Sequence, residues 1–237
     1  MTAKPKSGKL WTYEFQPTTD YANGIYMKLW YAALFSGCTL LAASLYSALI
    51  SRPGLRLQGV MLDRRVWLSE HGAQWELGWW LWLLFIFSWM LLLVVLMWRY
   101  SPAHRVTTML QSGLMIIAAV LAIGACLVWM KVIPAAAAAE SSAELLNVVD
   151  MLALAGAGAG CFMGGIVTAW IGIDLWRLER LPGPWLLPAV SAGLCAITTP
   201  FMLPQPHLLI MAGVCWVGWC AFLSTKREEP KVFSAWL

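Results

Sequence analysis

The chain has 237 residues, of which 60% are hydrophobic and only 12% charged, with 16 tryptophans and a mean hydropathy of +0.69. About a quarter of the residues of a soluble domain carry charge, so this composition excludes an ordinary water-soluble fold. The net charge of +4 is modest and comes from lysines and arginines flanking apolar runs, which excludes a nucleic-acid surface.

About 20 apolar helical residues span a bilayer core, and six such runs predict an all-α integral membrane bundle. The spans are expected near 29–50, 78–98, 107–131, 150–176, 185–203 and 207–224. An N-terminal segment of 1–28, a loop at 51–77 and a tail of 225–237 complete the expected organisation. The first apolar run starts only after Met27-Lys28 and is too long for the core of a cleavable signal.

The loop "SRPGLRLQGVMLDRRVWLSEHGAQWEL" opens on a Pro53-Gly54 turn. Met61, Leu62, Val66, Trp67 and Leu68, mixed with Asp63, Arg64 and Arg65, predict a short helix lying in the membrane interface. The second span, "GWWLWLLFIFSWMLLLVVLMW", is apolar around its whole circumference. Ser101 before Pro102 reads as the N-cap of the third span. Ser141 and Glu144 have capping-box spacing ahead of the fourth. The fifth and sixth spans are short and meet at the "LPQPH" turn. Most tryptophans lie near expected span ends, as aromatic belts do, but Trp89 and Trp216 lie deeper.

With the N-terminus inside, eleven of the sixteen basic residues fall on the cytoplasmic side. Both termini are therefore expected there, in a bacterial inner (plasma) membrane. Arg52, Arg56, Arg64 and Arg65 in the 51–77 loop oppose this orientation.

Ionisable groups within spans usually mark transport paths, and no span carries one near its centre. That argues against a proton-coupled pump. Asp150 and Asp174 bracket the fourth span, with Arg177 spaced to pair with Asp174, and Lys131 can snorkel outward. Gln111 is polar but carries no proton. The histidines His71, His104 and His207 lie on no common span, so paired haem ligation finds no support. The six cysteines all fall in apolar stretches without CxxC spacing and read as small buried thiols, with no metal site. Phosphate-loop, GxSxG and HExxH motifs are absent, and the first three spans are not repeated in the last three. No catalytic residue is assigned. The candidates for an outer-face acid–base site are His71, His207, Glu70 and Asp150, with Glu76 nearby.

The distinctive feature is the fourth span, "ALAGAGAGCFMGGIVTAWIGID". Gly156, Gly160, Gly164, Thr168 and Gly172 recur every four residues and stack on one helix face. Ala157, Cys161, Gly165 and Ala169 form a second row beside it. Small residues at this spacing let helix backbones approach closely in lipid. Matching rows occur at Ala118, Ala122 and Cys126, at Ala189 and Gly193, and at Ser191 and Cys195. The leading expectation is a non-enzymatic membrane protein acting by helix packing, with itself as a homo-oligomer or with a membrane-protein partner, as an accessory, assembly or regulatory subunit. The first alternative makes the strip a groove for an apolar ligand such as a lipid, quinone or carotenoid. The second is a membrane enzyme using the outer-face histidines and carboxylates.

Overall fold

In a computed structural model, residues 29–55, 61–101, 106–138, 143–179, 183–202 and 207–225 are described. Their helices are α1 (Leu29–Leu49), α2 (Arg52–Leu55), α3 (Met61–Glu70), α4 (Gly72–Tyr100) and α5 (Val106–Leu127), followed by a π-helical turn at Val128–Val132. After that turn come α6 (Ile133–Ala138), α7 (Ala143–Arg177), α8 (Gly183–Met202) and α9 (His207–Thr225). Six of these stretches are long and apolar enough to cross a bilayer, so the protein is a multi-pass, all-α membrane bundle.

The spans close into a ring in chain order. α1 packs on α4, α4 on α5, α5 on α7, α7 on α8, α8 on α9, and α9 returns to α1. Neighbouring spans are tied by polar cross-contacts. Thr39 bonds Ser88, Gln111 bonds Asp174, and Ser36 bonds Trp216. The ring interior is filled from every span by residues such as Leu92, Leu96, Met115, Ile171, Ala189 and Trp219. Large apolar side chains such as Leu49, Phe87, Val120 and Phe201 cover the perimeter that faces lipid.

Several local expectations are corrected. Ser101 closes α4, its N–H bonding the Met97 carbonyl (2.9 Å), and the turn it is expected to cap lies outside the described residues. Pro102 and His104, like Ser141 of the capping box, lie outside the described residues. The second and fourth spans begin earlier than their apolar cores, at Gly72 and Ala143. Polar residues continue a helix past the hydrocarbon, and at 1.5 Å per residue the 35 residues of α7 run about 52 Å. The third span continues as helix beyond its expected end at 131, with Pro134 inside the continuation. Its ring would clash with the carbonyl four residues back, and the widened turn immediately before α6 accommodates it.

Burial also separates the tryptophans. Trp80, Trp98 and Trp176 are exposed, whereas Trp75 and Trp79 are buried core residues. The two deep indoles have internal partners, Trp89 donating to Thr168 Oγ1 (3.3 Å) and Trp216 to Ser36 Oγ (3.1 Å). All six cysteines are free thiols.

Candidate functional site

Two arrangements stand out: the glycine seam of α7, and an ion pair at the end of the bundle capped by α2 and α3. The seam is shared among three neighbours. A methyl group on Gly160 would come within 3.1 Å of the Ala118 carbonyl and of Ala122 on α5, and one on Gly156 within 3.6 Å of Ala125. Gly164 faces the ring of Trp89 from α4, whose N–H is held by Thr168 one turn on. Gly172 lies against Ala189 of α8. The second row makes the closest approach: a methyl on Gly165 would meet the Gly193 carbonyl oxygen at 2.6 Å, and one on Gly193 the Gly165 carbonyl at 2.7 Å. The small residues are thus spent inside the monomer, against α5, Trp89 and α8.

At the capped end, α3 docks through Arg64 and Leu68, both buried and one turn apart, while Val66 faces outward. The expected interfacial helix therefore turns a charged residue inward. Each guanidinium nitrogen has a place. Nη1 and Nη2 bind Asp150 of α7 as a fork (Nη2 to Oδ1, 3.0 Å), and Nε donates to the Gly54 carbonyl of α2 (2.7 Å). Asp150 Oδ1 also accepts the Trp129 indole N–H (3.3 Å). The Trp129 carbonyl, on the π turn, accepts the N–H of Trp75 (2.7 Å). Trp79 stacks on Trp129 with centroids 4.6 Å apart, and Trp75 meets both Trp67 and Trp79 edge-on. Desolvating the pair is offset only because every guanidinium nitrogen and both carboxylate oxygens are bonded.

Gly54 sits beneath this cluster. A methyl there would fall 2.6 Å from the Trp75 ring and 2.7 Å from that of Trp67. Gly54→Ala is expected to lower stability by about 1–3 kcal/mol, because the rings are held by their own contacts and cannot withdraw. Thermal melting in detergent checks this value.

Among the enzyme candidates, Asp150 is engaged as described. His71 stacks flat on Trp67 (5.2 Å, 5°) with Nδ1 3.2 Å from the Trp67 carbonyl. Glu70 is exposed, and His207 is exposed at the start of α9, a helix that packs on α1 and α8. Glu76 pairs with Lys131 (2.7 Å) in an exposed bridge. Among the described residues, no group of three or more His, Cys, Asp or Glu side chains is placed to hold a metal.

The opposite end of α7 has its own tie. Asp174 takes the amide of Gln111 (2.7 Å) rather than Arg177, whose side chain is exposed. Gln111 is 1% exposed, and a buried amide requires an acceptor, whereas Arg177 finds solvent. The 24 residues from Asp150 to Asp174 span about 36 Å, slightly more than the hydrocarbon thickness. α7 is therefore pinned at both membrane boundaries. Nothing in the one-dimensional pattern pairs Arg64 with Asp150, since they are 86 residues apart.

No family model matches the chain, and no curated protein and no solved structure matches it.

Proposed function

We propose that the protein is a non-enzymatic membrane subunit that works by helix packing with a second copy or a partner helix, through the outward face of α5. The observation that carries this reading is the state of Gly113 and Gly124. They lie three turns apart on one face of α5, and a methyl on either would meet nothing within 4 Å. Ile117 and Val120 between them are exposed. Small residues on an open transmembrane face permit close approach of another helix, and the glycines of α7 are already occupied within the bundle. The engagement of Asp150 with Arg64 supports a structural rather than acid–base role for that carboxylate. The reading takes the membrane as a bacterial plasma membrane and both termini as cytoplasmic, an orientation that the basic-residue distribution favours. The charge of Arg64, which opposed that orientation, is neutralised by Asp150.

Gly124→Leu tests it. Native mass spectrometry of gently extracted wild type is expected to show a homo-oligomer or a complex with one other membrane protein. The variant should run as a monomer with its melting unchanged to within about 0.5 kcal/mol. A wild-type protein that is a monodisperse monomer with nothing bound to it overturns the reading.

A further inference from the structure

The outward face of α5 has a counterpart on α4, the helix beside it in the ring. On α5, Gly113, Ile117, Val120 and Gly124 are exposed, at steps of four and three that turn one face toward a single neighbour. On α4, Trp80, Leu84, Phe87 and Val94 are exposed at the same periodicity, and all of them are large. One face carries gaps and the other carries the side chains that would fill them.

Two contacts fix the relative heights of these faces. Glu76, near the start of α4, bonds Lys131, just past the end of α5 (2.7 Å), and Trp79 stacks on Trp129. The two helices therefore run antiparallel with these residues level. Counting inward from the bridge at equal rise per residue, Phe87 is level with Val120 and Val94 with Gly113. Leu84 is level with Gly124 to within one residue. A second copy inserted the same way, related by a two-fold axis along the membrane normal, keeps these levels. Its α4 then lies antiparallel to α5 of the first copy, with large side chains opposite both glycines.

Pairing α5 with α5 fits worse. Each glycine would face itself, and Ile117 and Val120 between them would hold the helices apart over two voids, which forfeit packing. Lys131 would also meet Lys131, whereas against α4 it meets the second copy's Glu76.

We infer that the occupant of the α5 face is a second copy of this chain, seated through α4. The two α4–α5 pairs then form an antiparallel four-helix bundle about the two-fold axis. This inference rests on the α5 reading above and narrows it to one occupant.

The test co-expresses full-length Phe87→Cys and Val120→Cys chains with different tags, so that only a bond between copies carries both tags. Thiols are oxidised in intact membranes, and wild type supplies the background from the native cysteines. A covalent dimer bearing both tags is expected, at least fivefold above either variant expressed alone, and lost on reduction. Val120→Cys dimerising as fully by itself would place α5 against α5 and overturn the inference. So would a mixed dimer no stronger than the wild-type background. Native mass spectrometry of wild type reads the same claim without substitutions, and a mass of two chains is expected. One chain bound to a different membrane protein overturns this inference and leaves the α5 reading standing, whereas a bare monomer overturns both.

Discussion

Substituting Gly193 or Gly165 is expected to do the most damage of any single methyl added to this protein. At both positions the new carbon would press on backbone of the facing helix. On Gly193 it would lie 2.7 Å from the Gly165 carbonyl and 2.9 Å from the Ala169 nitrogen. Flexible side chains can withdraw from such a contact, but helix backbone cannot without parting α7 from α8. Gly193→Ala should cost about 3 kcal/mol, the upper end of the usual overpacking range, and Gly193→Val should leave no folded protein in the membrane fraction. Gly218→Ala on α9 is the matched control. It adds the same carbon where nothing lies within 4 Å and should be neutral or stabilising by up to about 1 kcal/mol through helix propensity. Melting curves followed by size-exclusion chromatography compare the three. Equal loss at Gly193 and Gly218 would show that the close α7–α8 approach is not what the glycines serve.

Arg64→Met should come next, at about 3–5 kcal/mol, because it strands the Asp150 carboxylate where its side chain is only 4% exposed. Asp150→Leu should cost about the same for the converse reason. The double variant is expected to recover most of the loss, since two apolar side chains of similar volume need no solvation. A double-mutant cycle read from melting midpoints gives the coupling. Single and double variants that lose equal stability would mean the pair holds nothing together beyond its own packing. Lys131→Met provides the contrast. Its bridge to Glu76 is exposed and should contribute less than about 1 kcal/mol.

Both predictions concern α7, the helix whose composition is oddest. Its four-residue spacing of small residues is visible in one dimension because helical periodicity alone stacks such positions. Their division among neighbours is not visible. Gly156 and Gly164 differ in sequence context by nothing that foretells α5 for one and Trp89 for the other. The same holds for the capped end. Arg64 reads as a misplaced positive charge in the loop, and Asp150 as a carboxylate at a span boundary. Their fork forms because α3 folds back over the start of α7, and a loop's path is not written in periodicity. A clue was present at Pro134, whose ring forbids an ordinary helix four residues upstream and so foretells distortion beside Trp129.

Composition and apolar run length by themselves determined that this is a six-span helical membrane protein, because the bilayer imposes one length and one hydrogen-bonding solution on each span. Only the tertiary structure decided which polar groups meet. Helix association in lipid depends on which faces fit at contact distance, and side chains dozens of residues apart become partners only once the ring has closed.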